Sequence, residues 1–214
     1  MKTVYVVKTE DMQKNELGAL FHNIETRGFF AERAAMELRP DFQQIIPSFI
    51  LVDKEAETML LYQRKPKHTE QRLAGMHTPV FGGHIDPIDW DKEDIKAKIA
   101  IQDFDIPSVI YNGLAREMKE ETGLDLYELL DSAEFYGIIK DDSNDVGKVH
   151  TGLVYCIDIK LDEELLHQIV SKSEVNSVKV VDLESFSELL ASTSFTLESW
   201  AQLVIEDIIK AGSF

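Results

Sequence analysis

The sequence predicts an α/β (α+β) fold, a mixed sheet sandwiched by helices, and three observations predict it. Short apolar runs of strand length recur along the chain. Segments with helical periodicity interrupt them. No repeat, low-complexity tract or linker divides the 214 residues. A chain of that length supports one substantial core, so residues 1–214 are read as a single domain.

The elements follow in order. Val4 to Val7 reads as a short strand, and Asp11 to Ile24 as a helix with Leu17, Leu20, Phe21 and Ile24 on one face. A second helix is predicted over Phe29 to Leu38, stopped by Pro40. Ser48 to Val52 and Thr58 to Tyr62 form a hairpin around the charged turn Asp53 to Glu57, and Thr78 to Phe81 is strand-like. A polar excursion follows Gly82-Gly83-His84, with a helical turn predicted around Asp94 to Ile101. The next helix has Ser108 as its N-cap, runs to about Thr122, and has Gly123 as its C′ residue. Ala133 to Ile139, Val149 to Ile159 and Val178 to Val181 read as strands. One helix begins at Asp182 and runs to about Ala191. The last carries Leu197, Trp200, Ala201, Val204, Ile205, Ile208 and Ile209 on one face.

Composition narrows the function. Lys and Arg number 22 against 39 Asp and Glu, for a net charge of −17. Such a chain repels a nucleic-acid polyanion, which argues against general nucleic-acid binding. A small phosphorylated substrate needs only a local positive site, and metal ions held by clustered carboxylates supply one. Cys156, the lone cysteine, lies in the apolar run Leu153 to Ile157 and reads as a buried strand thiol. No run approaches the length of a membrane span, and the N-terminus lacks the pattern of a signal peptide, so the cytoplasm is the expected location.

Arg116-Glu117-Met118-Lys119-Glu120-Glu121-Thr122-Gly123 is the most informative segment. Glu117, Glu120 and Glu121 stand at i, i+3 and i+4 and share one side of a helix. Like charges at those spacings cost about 0.2–0.5 kcal/mol per pair. The helix C-terminus also favours cations, by ~0.3–1 kcal/mol each. A divalent cation reverses the sign of both effects, and Mg²⁺ or Mn²⁺ suits an all-oxygen set. Ile110, Leu114 and Met118 mark the buried stripe, which places Glu117 and Glu121 at its border, where Arg116 can orient a carboxylate.

With Leu124 added, this segment resembles the second half of the Nudix box, R-E-hydrophobic-x-E-E-x-G-hydrophobic, with every fixed position present. Phe81-Gly82-Gly83-His84-Ile85-Asp86 resembles the glycine start of the same box, and the chain from about Phe49 to Leu190 follows the order of a Nudix domain. It is similar to a bacterial MutT-like subgroup of predicted phosphoesterases with a lengthened box. Gly83 to Arg116 spans 33 positions against the usual 14, an insertion of 19 residues. The resemblance implies a Nudix α/β/α sandwich, with residues 1–46 as an N-terminal extension and the insertion at about 87–107. The family's upstream glutamate falls on Asp89 counting from Gly83, or on Ser108 counting back from Arg116; neither is a glutamate.

The resemblance further implies metal-dependent hydrolysis of a phosphoanhydride in a nucleoside diphosphate linked to another moiety. Glu117, Glu120, Glu121 and the Gly83 carbonyl would bind Mg²⁺ or Mn²⁺, with Glu120, Glu121 and Glu174 as the catalytic carboxylates. Glu174 ranks ahead of Asp141, Asp142 and Asp145 as the downstream carboxylate, and Glu121 or Glu174 would take the proton of the attacking water. Gly82, Gly83, Arg116 and Gly123 orient the site, while Arg64, Lys65, Lys67, Arg72 and His84 are candidates for substrate phosphates. His150 reads as structural. The alternative reading is a catalytically weak module that senses a nucleotide-type metabolite. A homodimer is compatible with the resemblance.

Overall fold

The computed structural model describes residues 2–12, 16–66, 73–90, 100–101, 104–172, 174–191, 195–212 and 214. The chain begins with strand β1 (Thr3–Lys8), helix α1 (Leu17–Arg27), strand β2 (Phe29–Glu32) and the short helix α2 (Arg33–Met36). The long strand β3 (Phe42–Asp53) turns into β4 (Thr58–Arg64), followed by the two-residue strands β5 (His77–Thr78) and β6 (Phe81–Gly82). A small ribbon of β7 (Ala100–Ile101) and β8 (Phe104–Asp105) precedes helix α3 (Ser108–Glu121). The remainder is β9 (Ala133–Ile139), β10 (His150–Asp158), α4 (Glu163–Val170), β11 (Val175–Asp182), α5 (Phe186–Ala191) and α6 (Ser199–Ala211).

Strand β3 organises the sheet. Along one side it pairs in parallel with β10, from Gln44↔His150 to Val52↔Asp158, and β10 in turn pairs antiparallel with β9. Its other partners are all antiparallel: β1 near Gln44, β6 at Ser48 and Phe49, and β4 at Val52 and Asp53. Pro47 falls between the β1 and β6 pairings, so a residue that cannot donate to a ladder sits where that side of the strand has no ladder partner. The outer strands are β11 against β4, β2 against β1 and β9 against β10.

Alternation along the central strands assigns the two faces. Phe49, Leu51, Leu60, Tyr62, Leu153, Tyr155 and Ile157 face α1, α3 and α4. Ile50, Val52, Met59, Leu61, Val154 and Cys156 face α5 and α6, where Phe186, Leu189, Ala201, Val204, Ile205 and Ile208 cover them. The result is the expected α/β/α sandwich around a mixed sheet.

Several expected elements are corrected. Phe29 to Leu38 is not one helix: Phe29 to Glu32 joins β1 as an edge strand, where Phe29 packs on Phe42 and Phe30 on Tyr5, and only Arg33 to Met36 is helical. Adjacent aromatic residues favour that extended edge over a helix. Thr78 to Phe81 is split, because Pro79 cannot continue the ladder between β5 and β6. Ser108 is the first helical residue of α3, and Pro107 occupies the cap position. The strand expected at Val178 to Val181 is the full β11, so the helix placed from Asp182 starts at Phe186 after a short turn. Of the helical turn expected at Asp94 to Ile101, residues 94–99 lie outside the described residues, and Ala100 and Ile101 are extended. No helix among the described residues is long and apolar enough to cross a membrane.

Candidate active site

Helix α3 lies against β6 with Ile110, Leu114 and Met118 buried at 0–1% exposure, as the periodicity required. That packing presses one flank of its last turn onto the glycine segment. Glu121 accepts a hydrogen bond from the Gly82 N–H at 2.7 Å through Oε2. Gly82 has φ +138°, and a Cβ there would run into the backbone of Pro47 and Ser48, so only glycine allows this approach. A Cβ on Gly83 would lie 2.5 Å from Glu117 Oε1. The missing side chain at Gly83 is the space that the Glu117 carboxylate uses.

The three glutamates occupy different environments. Glu117 is largely covered, with 14% of its side chain exposed, and accepts from Arg116 Nη1 at 2.6 Å. Glu120 is 63% exposed, 3.7 Å from the same guanidinium. Glu121 is the most deeply desolvated: burial first, then the nearby Glu117 charge, pushes its acid up to about 8. Burial also raises Glu117, against the pull of Arg116. Two neighbouring carboxylates, poorly hydrated and sharing few donors, would gain from a cation between them. The donor set is all oxygen, and the glycine cradle leaves a backbone approach open, so the residues fit Mg²⁺ or Mn²⁺.

Arg116 is the hub of this region. Besides Glu117, its guanidinium donates to Asp89 at 2.9–3.3 Å and to the His84 carbonyl at 2.7 Å. Asp89 is fully buried and also accepts the Asp86 N–H at 2.8 Å, while Asn112 donates to the Asp89 carbonyl. The count from Gly83 therefore finds the carboxylate that holds the arginine, and Ser108 lies exposed at the start of α3. Gly123 has φ +81°, the left-handed value of a C′ glycine, and Gln168 Nε2 caps the Thr122 carbonyl beside it.

The expected phosphate contacts are placed unevenly. Arg64 is largely covered, with 11% of its side chain exposed, ion-paired with Glu198, 3.9 Å from Glu174 and over the Tyr62 ring. Arg64 and Glu174, 3.9 Å apart, lie within charge range of Glu121 at the end of α3. Lys65 donates from Nζ to the Lys172 carbonyl at 3.3 Å, and its backbone N–H to the Glu174 carbonyl. Lys67 and Arg72 lie outside the described residues. The His84 ring meets Gln44 Oε1 at 2.9 Å and His150 Nε2 at 3.2 Å. Asp141 organises its own loop, accepting from Ser143 and Asn144.

Glu198, Gln44 and Glu37 escaped the sequence reading. The signal for Glu198 was faint, an acid just before the last amphipathic helix. Glu37 and Gln44 stand in segments with no motif.

No family model matches the chain. It is 28% identical over 205 residues to Protein YmaB of Bacillus subtilis (strain 168), covering 94% of this chain and 86% of that protein. The crystal structure of Tm1382, a candidate Nudix hydrolase, superposes with a TM-score of 0.67 at 20% identity, covering 98% of this chain and all of the other. A Nudix hydrolase from Alicyclobacillus acidocaldarius superposes with a TM-score of 0.56 at 12% identity, over 80% of this chain and 93% of its own. The chain has the Nudix fold, and the box-like segment at residues 116–124 lies within it.

Proposed function

We propose that this Nudix-fold chain is a divalent-metal-dependent pyrophosphohydrolase that cuts a phosphoanhydride in a nucleoside diphosphate linked to another moiety. The observation that carries the proposal is the pair Glu117 and Glu121, desolvated side by side against a glycine turn that leaves room for a carboxylate. Acids at a helix C-terminus oppose the dipole, and a bound cation would offset both that and their desolvation.

Glu117, Glu120 and Glu121, with the Gly83 carbonyl, would hold Mg²⁺ or Mn²⁺. The ion supplies a lowered pKa for the attacking water and neutralises charge on the phosphates. Asp89 and Arg116 fix the turn and the Glu117 carboxylate, which supports Glu117 as a ligand. Glu121 or Glu174 accepts the proton from the attacking water. Arg64 sits close enough to Glu121 to influence its charge, and it stabilises the acidic cluster rather than reaching into solvent.

Glu120→Gln tests the assignment. Glu120 is exposed and 3.7 Å from the Arg116 guanidinium, so the stability of the variant should lie within about 1 kcal/mol of the parent. Turnover should fall by at least about 100-fold. A variant that hydrolyses the parent's substrate at the parent's rate removes Glu120 from the site.

A further inference from the structure

We propose that Glu37, His84 and His150 form a second metal centre, for a first-row transition dication of the zinc class. In this centre the ion ties the N-terminal segment to the glycine turn. One ligand atom from each of these residues lies within 4.8 Å of the other two. The two imidazole Nε2 atoms are 3.2 Å apart. Two ligands at ~2.05 Å from a tetrahedral ion stand about 3.3 Å apart, so the spacing of the two nitrogens matches that of ligands sharing one ion.

The hydrogen-bond pattern also asks for a cation. His150 Nδ1 is 2.7 Å from the Val146 carbonyl, which fixes that nitrogen as the donor and leaves Nε2 as the lone-pair atom. This is the arrangement of a histidine ligand whose other ring nitrogen is held by a carbonyl. His84 Nε2 then faces two acceptors, His150 Nε2 and Gln44 Oε1, and has at most one proton to give. Gln44 is fully buried, and its Nε2 is without a partner among the described residues.

The third ligand is reachable and supported. Glu37 lines an open cleft of about 300 Å³ with Lys2, Glu32, Arg33 and Ala34. Arg33 Nε donates to Glu37 Oε1 at 3.1 Å and orients that carboxylate. The Lys2 and Arg33 charges oppose an ion, and the carboxylates of Glu32 and Glu37 offset them.

Donor chemistry separates this site from the glutamate cluster. Two imidazoles and one carboxylate suit zinc, whereas the glutamate set is all oxygen. The centre would also act on the glutamate site's frame. His84 follows Gly83 directly, and its carbonyl is held by Arg116. Glu37, Gln44, His84 and His150 come from four distant segments: the residue after α2, strand β3, the glycine turn and the start of β10. The inference rests on this geometry and not on the proposed hydrolysis.

Calorimetric titration of the chelator-stripped full chain with Zn²⁺, in excess Mg²⁺ to occupy the all-oxygen site, tests it. One equivalent should bind the parent and Glu120→Gln alike. Affinity should fall by more than about 100-fold in His84→Ala and in His150→Ala, beyond the cost of substitutions outside the ligand shell. Glu37→Gln, at a partly exposed position that folding tolerates, should lose more than about tenfold. Co²⁺ added to the parent should give the visible absorption of a tetrahedral centre with nitrogen ligands. The proposal is overturned if the parent binds no zinc in excess Mg²⁺. It is equally overturned if His84→Ala and Glu37→Gln bind as the parent does, or if binding is lost only in Glu120→Gln.

Discussion

At Asp89 a fully buried carboxylate meets a guanidinium that also contacts Glu117, Glu120 and the His84 carbonyl. Burying such a pair gains little by itself, but removing one partner leaves a charge stranded in a poorly solvated place. Asp89→Asn keeps the volume and removes the charge, so it should lower unfolding stability by about 3 kcal/mol, read from the denaturant midpoint. A loss under about 0.5 kcal/mol would mean that Arg116 finds another anion and that Asp89 is not its anchor. Residue chemistry was unevenly legible in the sequence. Glu117, Glu120 and Glu121 were visible because three acids at a helix C-terminus contradict local stability. Asp89 was one of two counts through a stretched box, and only the fold shows that the shorter side chain reaches Arg116. Glu37, His84 and His150 carried no spacing signal, since three separate segments meet there only in the fold.

Helix α3 ends with its acids facing a dipole that disfavours them, and its last turn is anchored by the Gly82 N–H and the C′ glycine Gly123. This element predicts a pH dependence in the metal-free protein. The Glu121 acid is raised from 4.5 to about 8 in the folded chain, chiefly by burial and then by Glu117. Between those values the folded state binds more protons than the unfolded state. The contribution is therefore fully present below about 4.5, is lost as pH rises toward about 8, and is flat above that. In chelator, the parent should lose more thermal stability than Glu121→Gln between pH 5 and pH 8. Parallel profiles for the two proteins would show that Glu121 ionises normally. The element itself was legible, because the Ile110, Leu114 and Met118 stripe and Gly123 set its face and its end. Strand β2 was not, since four residues are too few for periodicity to distinguish strand from helix. Pro79 was in plain view, yet its effect depends on which ladder β5 and β6 join.

Across the whole molecule, the sheet sorts its side chains into two layers and places the proposed site on one of them. Strand β6 and the glycine turn place Gly82 and Gly83 under α3, and β4 with β11 brings Arg64 and Glu174 to the same end. The opposite layer, α5 and α6 over Ile50, Met59 and Val154, is packing, and Glu198 at the start of α6 contributes the partner that buries Arg64. A net charge of −17 makes a local cation the condition for binding phosphates at all. The fold class was legible because alternating strands and amphipathic helices admit few layer arrangements. The substrate was not, because its recognition depends on surfaces assembled from several segments. The most direct measurement is release of phosphate-containing products from nucleoside triphosphates, dinucleoside polyphosphates, nucleotide sugars and NAD-type dinucleotides, with and without Mg²⁺ or Mn²⁺. Metal-dependent cleavage at a phosphoanhydride of at least one nucleoside diphosphate derivative is the predicted result. Ligand binding in the presence of metal with no product from any of them would contradict hydrolysis and leave a sensing module in its place.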